Sequence, residues 1–165
     1  MKGRELIDAV VAWGEAKGIV KNVPFDSQMK KLTEEIGELI EAYIKCEDAG
    51  IEDAFGDIQV VLILLNEIAG NDRELIQFDS IPEKTATTFE QHMTCMWRSV
   101  GRLAKASFAQ DRETVRLRIS NAICRIRLAA KTLDMNPEDA LAKAYQVIIK
   151  RTGTIKNDTF VKDKE

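Results

Sequence analysis

Residues 32–68 read LTEEIGELIEAYIKCEDAGIEDAFGDIQVVLILLNEI, and they contain two apolar patterns with the three- and four-residue spacing of an amphipathic α-helix. The apolar positions of the first pattern are Leu32, Ile36, Leu39, Ile40 and Tyr43. Gly50 separates the two patterns, as is typical of the turn after a helix. The stretch therefore predicts two antiparallel helices, one continuing to about Cys46 and the other running from about Ile51 to Ala69.

Helical spacing extends over most of the remaining chain. Further helices are predicted over about residues 5–16, 89–108, 112–133 and 137–151, with a polar connection at 71–87. Three prolines and nine glycines are too few for the many turns of a β-barrel or β-sandwich. We therefore predict an all-α helical bundle of about five to six helices that includes a two-helix, carboxylate-bearing hairpin.

Short polar residues mark the predicted helix starts, because their side chains can accept hydrogen bonds from the first free N–H groups of a helix. Asp26 or Ser27 would cap the first helix of the hairpin, and Thr87 or Thr88, with Glu90 close behind, the helix after the polar connection. Asn136 precedes a proline at the first position of the last helix, where the missing N–H does no harm.

Length and composition limit the chemistry that is available. The 165 residues suit one domain spanning 1–165. The single histidine, His92, excludes an HExxH motif and any multi-histidine metal site, and the chain contains neither GxxxxGK nor GxGxxG. A nucleotide or a metal ion would therefore have to be bound by carboxylates.

Composition also indicates where the protein works. The three widely spaced cysteines, Cys46, Cys95 and Cys124, are expected to be reduced thiols in the core of a cytoplasmic protein, and the start MKGRELIDAV does not resemble a signal peptide. The longest apolar run, Val60–Leu65, is too short to span a membrane. The net charge of −3 disfavours a nucleic-acid partner. We therefore expect no membrane and no nucleic acid among the partners.

Charge is distributed unevenly along the chain. Residues 34–57 contain nine acidic side chains and one basic side chain, whereas residues 98–131 contain nine basic and two acidic ones. The two segments could form solvated helix faces, and the basic face could complement the acidic one or a subunit partner.

Carboxylates on the first helix of the hairpin lie within one arc. Glu34, Glu35, Glu38 and Glu41 are opposite the apolar stripe, and this pattern alone is also typical of a solvated helix face. Like charges at this spacing repel one another, which disfavours the arrangement unless a cation is close by.

Asp57 on the second helix is harder to explain as a solvated residue. Asp53 and Asp57 share a face with Val61, Leu64 and Ile68, so the Asp57 carboxylate is expected to be buried. A buried carboxylate has to be neutral, paired or bound to a cation. The polar side chains on the opposite face, which is expected to face solvent, are Glu52, Gln59 and Asn66.

An antiparallel hairpin would bring Glu35 and Glu38 close to Asp53 and Asp57. Carboxylates without histidine or cysteine form an oxygen-only site, which suits Mg²⁺ or Mn²⁺ together with phosphate oxygens. The pattern therefore favours metal-dependent phosphoryl or nucleotidyl chemistry.

The sequence resembles the MazG family of all-α nucleoside triphosphate pyrophosphohydrolases, whose pattern is EExxE on one helix and ExxD on the next. Residues 34–38 read EEIGE and residues 53–57 read DAFGD, followed by an apolar run. The acidic position three residues before the final aspartate is Ala54 here, and Asp53 lies one residue earlier. This DAxGD form is similar to a branch common among phage-encoded relatives. The resemblance covers roughly residues 5–70 and 138–163, so residues 71–137 are expected to be a helical insertion.

The resemblance implies a role for each matching residue. Glu35, Glu38, Asp53 and Asp57 would bind Mg²⁺, with Mn²⁺ as a substitute, while Glu34 and Glu38 would be the catalytic residues that orient water. The implied substrate-binding residues are Trp13, Gln28, Lys31, Lys150, Arg151 and Lys162. An ordinary structural role remains an alternative for Trp13 and for the three cations near the C-terminus.

The implied function is hydrolysis of a (deoxy)nucleoside triphosphate to the monophosphate and pyrophosphate, by a homodimer or homotetramer that controls nucleotide pools. Two alternatives stay open. The chain could be a non-catalytic helical assembly module, or a pyrophosphohydrolase of another phosphorylated metabolite.

Overall fold

The computed structural model describes residues 1–78, 81 and 86–163. Part of the polar connection at 71–87 therefore lies outside the described residues. The helices and strands are α1 (Gly3–Ala16), α2 (Ile19–Asn22), α3 (Phe25–Lys45), α4 (Asp48–Ile68), the 3₁₀-helix η1 (Arg73–Ile76), α5 (Phe89–Phe108), α6 (Arg112–Thr132), α7 (Pro137–Ile148), β1 (Gly153–Lys156) and β2 (Thr159–Lys162).

The predicted all-α helical class is confirmed, with seven α-helices in the described part of the chain. Six of them are long and match the predicted set, and α2 adds a single turn. No helix among the described residues is both long and apolar enough to cross a membrane.

Two of the three predicted helix caps are confirmed. Thr88 forms a capping box with α5, but its partner is Gln91 and not Glu90. Asn136 accepts hydrogen bonds from the first N–H groups of α7. The prediction of Asp26 or Ser27 as the cap of α3 is wrong, because the helix begins directly after Pro24, whose carbonyl accepts from the N–H of Ser27 at 3.1 Å.

Helix α4 is the central element of the fold. It packs antiparallel to α3 on one side and contacts α1, α6 and α7 on others. The face of α4 that we expected to meet solvent is therefore covered, and Gln59 and Asn66 are fully buried. The Gln59 amide donates to the Pro137 carbonyl at 2.8 Å, and its oxygen accepts from Arg127 Nε at 2.9 Å. The expectation of a wet polar stripe on this helix is wrong because two further helices pack there.

Helices α5 and α6 form a second antiparallel hairpin that joins the bundle mainly through α6. At its start, α5 also contacts α3, where Phe89 stacks on Tyr43 with ring centroids 4.1 Å apart. The cysteine prediction is wrong in part: all three thiols are free, but Cys46 is exposed, and Cys95 and Cys124 are only half-buried.

The C-terminal tail forms a β-hairpin that the sequence analysis did not predict. Strands β1 and β2 pair antiparallel, with Ile155 opposite Phe160. The turn residues Asn157 and Asp158 both have positive φ angles. This conformation suits a two-residue hairpin turn, for which short polar residues are preferred.

Candidate functional site

A pocket lies where α1, α3 and α4 meet the end of α7 and the β-hairpin. Its walls combine apolar side chains with charges of both signs. Besides Thr159, the lining contains one amide and five charged side chains, those of Gln28, Lys31, Glu35, Asp57, Arg151 and Lys162. All six were predicted as site residues, and the fold brings them together from four separate elements or segments.

Glu35 is the most buried carboxylate of the pocket, with a residue exposure of 4%. One carboxylate oxygen, Oε1, accepts from Lys31 Nζ at 2.6 Å. The other oxygen, Oε2, is buried and has no hydrogen-bond partner among the residues that the structure describes. An unsatisfied carboxylate oxygen in a protein interior is costly, so this atom is suited to a cation or to another donor from outside the chain.

Asp57 faces the same pocket from α4. Burial and the nearby Glu35 carboxylate raise the pKa of Asp57 to about 6, although Arg151, Lys162 and Lys31 oppose the shift. The closest of these cations is the guanidinium of Arg151, whose Nη2 lies 3.8 Å from Oδ2 of Asp57. The two carboxylates therefore repel each other in a partly desolvated space, which is the arrangement that a divalent cation would relieve.

Glu38 and Glu34 lie on the outer side of α3, the helix that also carries Glu35. Burial, with a contribution from Glu35, raises the pKa of Glu38, while Lys31 and Lys162 oppose the rise. Glu34 is largely exposed and pairs with Lys31 Nζ at 3.0 Å. Glu38 is thus electrostatically coupled to the pocket, whereas Glu34 reaches it only through Lys31.

Asp53, the predicted fourth ligand, does not line the pocket. Its side chain is exposed one helical turn before Asp57, near Lys143 of α7. The pKa of Lys143 is raised mainly by its hydrogen bond to Glu52, and the charge of Asp53 adds a smaller contribution. The structure therefore does not bring Asp53 to Glu35 and Asp57, because Asp53 lies near the start of α4 beside the flank of α7.

Aromatic side chains form the apolar end of the pocket. Trp13 of α1 meets Phe160 of β2 edge to face, with ring centroids 6.0 Å apart. The indole Nε1 of Trp13 is buried, and the described part of the chain offers it no hydrogen-bond partner. Phe160 was not predicted as a site residue, although the Asn157-Asp158 turn before it could have indicated a hairpin.

Lys150 lies outside this pocket, in an adjoining outer cavity of about 480 Å³. Arg151 and Lys162 line both cavities, and they connect the carboxylates with the outer basic surface. The inner cavity is small, at about 80 Å³, because the β-hairpin covers it.

The donor set fits an oxygen-coordinated divalent cation in part. Glu35 and Asp57 supply carboxylate oxygens that face one cavity, and within the described chain Glu35 Oε2 is unpartnered. Across the described ranges, however, no group of three or more His, Cys, Asp or Glu side chains is close enough to hold a metal ion. Such a site suits Mg²⁺, which keeps several waters and is commonly bound by one or two carboxylates together with substrate phosphates.

Comparison with protein-family models, with curated proteins and with solved structures finds no match for this chain. The resemblance to the MazG family and the function that it implies therefore stay predictions made from the sequence.

Proposed function

We propose that this protein is a metal-dependent pyrophosphohydrolase that cleaves a (deoxy)nucleoside triphosphate into the nucleoside monophosphate and pyrophosphate. The observation that carries this proposal is the meeting of Glu35 and Asp57 with Lys31, Arg151 and Lys162 in one pocket. Carboxylates can bind a divalent metal ion, and basic side chains can bind phosphate oxygens. A binding site for a phosphate anhydride needs both kinds of group.

The roles of the chain's own charges follow from their positions. Arg151 and Lys162, which line both cavities, would bind the phosphate oxygens, Arg151 as a planar fork and Lys162 as a point charge. Lys150 would extend this contact in the outer cavity. Lys31 holds Glu35 through Oε1, which would leave Oε2 to bind the cation.

Glu35 and Asp57 would hold Mg²⁺ or Mn²⁺, with Glu38 at the rim. A bound divalent cation would neutralise the charge on the phosphates and make the phosphorus more electrophilic. Asp53 is placed too far toward the start of α4 for us to assign it as a ligand.

Glu38 is our choice for the residue that activates water, because its raised pKa is closer to the range of an efficient general base. Glu38 would take one proton from water as the water oxygen bonds to the α-phosphorus. The bond from that phosphorus to the α–β bridging oxygen breaks, and pyrophosphate leaves with the electron pair. Glu34, paired to Lys31, would help to orient the water.

Trp13 and Gln28 would face the base or sugar at the apolar end of the pocket. Binding sites for small ligands usually measure about 300–1,000 Å³, whereas the covered inner cavity is about 80 Å³. Substrate entry would therefore require the β-hairpin to move outward, and Thr159, Phe160 and Lys162 would move with it.

A panel of the canonical ribo- and deoxyribonucleoside triphosphates with Mg²⁺ or Mn²⁺, read by pyrophosphate release, tests this function. We expect turnover of at least one nucleotide by the wild type and its loss in Glu38→Ala and Asp57→Ala proteins that retain their helical circular dichroism. In ¹⁸O-labelled water, the label should enter the monophosphate. Retained metal-dependent release in both variants would overturn the assignment, and release of inorganic phosphate alone would indicate a different reaction.

A further inference from the structure

The outer cavity continues the pocket beyond the cations that bind phosphate. Its volume of about 480 Å³ lies within the range of about 300–1,000 Å³ that is usual for a small-ligand site. It lies between the last turn of α7 and the end of β2. Arg151 and Lys162 line both cavities, so a ligand whose phosphates meet these two cations has space on either side of them.

The side chains that line the outer cavity alone carry no net charge. Lys150 contributes one positive charge and Asp163 one negative charge. The remaining three side chains are uncharged, and they belong to Gln146, Val147 and Thr152. A terminal phosphate group is poorly matched to this lining, because the Asp163 carboxylate repels it.

The same lining suits a group that has both an apolar surface and hydroxyl groups. Val147 is 52% exposed and offers apolar contact to a ligand in the cavity. The backbone N–H of Asp163 donates to the Thr152 carbonyl at 3.0 Å, and this bond holds the segment after β2 beside the end of α7. A carboxylate at such a position can accept hydrogen bonds from the hydroxyls of a ribose, as acidic residues do in dinucleotide-binding sites.

We propose that the outer cavity binds the second nucleoside of a dinucleoside polyphosphate, a compound in which nucleosides are esterified to both ends of a phosphate chain. The inference rests on the proposed function, because the phosphates would meet the same cations and carboxylates. Cations that lie between two cavities match a substrate with its charge in the middle and a nucleoside at each end. A nucleoside triphosphate would leave the outer cavity empty and would therefore be the poorer substrate.

The reaction is the proposed hydrolysis with a different leaving group. The water oxygen bonds to the phosphorus that carries the nucleoside of the inner cavity, and Glu38 takes one proton from the water. The bond from that phosphorus to the bridging oxygen breaks. In a dinucleoside triphosphate, a nucleoside diphosphate then leaves with the electron pair, and the other product is a nucleoside monophosphate.

The symmetric dinucleoside triphosphates of adenosine, guanosine, cytidine and uridine test the inference, each beside its own nucleoside triphosphate and with Mg²⁺. Chromatography of the products is expected to show a monophosphate and a diphosphate in equal amounts for at least one of these compounds. Its kcat/KM is expected to exceed that of the matching nucleoside triphosphate.

Two variants of the outer cavity test where the second nucleoside binds. Asp163→Ala is expected to lower kcat/KM for the dinucleoside compound about ten- to hundredfold, the usual effect of losing a hydrogen bond to a charged group. Val147→Trp, which fills the cavity, is expected to lower it at least as much. Both variants should keep the wild-type kcat/KM for the nucleoside triphosphate.

Matched controls lie on α6, outside both cavities. Leu117→Trp changes an apolar side chain that is 51% exposed, and Glu113→Ala removes one exposed carboxylate. Both controls should hydrolyse both kinds of substrate at wild-type rates. Helical circular dichroism establishes that all four variants are folded.

The outcomes separate this inference from the proposed function. Hydrolysis of the nucleoside triphosphates alone, or with the higher kcat/KM, would overturn the inference and leave the proposed function intact. Undiminished cleavage of the dinucleoside compound by Asp163→Ala and Val147→Trp, or equal losses for both kinds of substrate, would also overturn it. The absence of turnover with every compound would contradict the inference and the proposed function together.

Discussion

The α3–α4 and α5–α6 hairpins are built alike, from antiparallel helices of 20 or 21 residues, but the first buries a carboxylate and the second exposes aromatic rings. The first hairpin buries the polar side chains of Glu35, Gln59 and Asn66. The second exposes the aromatic rings of Trp97 and Phe108. Buried polar groups and exposed apolar rings both cost stability or solubility, which is why each is a sign of function when it is not satisfied within the chain.

Gln59 shows how a satisfied buried polar group differs from an unsatisfied one. Its amide and its oxygen both have partners, Pro137 and Arg127. Glu35 Oε2 has none among the described residues. Gln59 therefore stabilises the packing of α4 against α6 and α7, whereas Glu35 has an oxygen that is available to a ligand.

The largest effect is expected on turnover. Replacement Glu35→Gln removes the charge next to the cavity, and we expect a loss of pyrophosphate release of about 10²–10⁴-fold. Glu41→Gln, on the exposed side of the same helix, should leave the rate unchanged in the same assay. Equal rates in the wild type and in Glu35→Gln would remove Glu35 from the site.

The next effect compares glycines in the two hairpins. A Cβ at Gly56 of α4 would lie 2.4 Å from the Ala140 carbonyl oxygen of α7, so Gly56→Ala should cost about 2–3 kcal/mol of unfolding free energy. Gly101 of α5 has open space around it, and Gly101→Ala should add about 0.5–1 kcal/mol through helix propensity.

Urea unfolding at the lowest practical protein concentration measures both glycine variants without a contribution from subunit contacts. A Gly56→Ala protein as stable as the wild type would mean that α4 and α7 pack less closely than the structure has them.

Asp57 makes a smaller contribution that depends on pH. Because the pKa of Asp57 is about 6 in the fold, above its ordinary value of 3.8, the native state binds its proton more tightly than the unfolded state. The carboxylate therefore destabilises the fold fully above pH 6, and this penalty disappears as the pH falls toward 4.

Asp57→Asn is accordingly expected to be more stable than the wild type at pH 7, in the presence of a metal chelator. We expect about 1–2 kcal/mol, less than the roughly 3 kcal/mol that the pKa difference corresponds to, because the side chain is partly exposed and loses its attraction to Arg151. Thermal unfolding from pH 4 to pH 8 measures the difference, and a gap that widens toward acid pH would contradict the sign.

The smallest effect on stability is expected at Phe108. Phe108→Ser replaces an 80% exposed ring, so the unfolding free energy of the monomer should stay within about 0.5 kcal/mol of the wild type. Urea unfolding of both proteins measures the difference. A strongly destabilised monomer would show that the ring packs within its own chain.

Periodicity predicted most of the fold, because the apolar spacing of each long helix is a local property of its sequence. The ends of α5 and α6 agree with the predicted bounds to within one residue. The same local pattern could not show that α6 and α7 cover the polar face of α4, since that depends on contacts between residues far apart in the chain.

The sequence predicts best those site residues whose positions follow directly from helix geometry. Glu35 and Asp57 meet because adjacent antiparallel helices bring their facing residues together. Asp53 was misplaced because it lies one helical turn closer to the start of α4, beside Lys143 of α7 and outside the pocket. Phe160 was missed because its position depends on a β-hairpin of only two short strands.

A titration with Mn²⁺, followed by the electron paramagnetic resonance signal of the free ion, examines the pocket without knowledge of the preferred nucleotide. Saturable binding of Mn²⁺ by the wild type is expected in the presence of pyrophosphate. That binding should disappear in Asp57→Asn and persist in Glu41→Gln. Equal binding by the wild type and Asp57→Asn, or none by either, would contradict a cation site at Glu35 and Asp57.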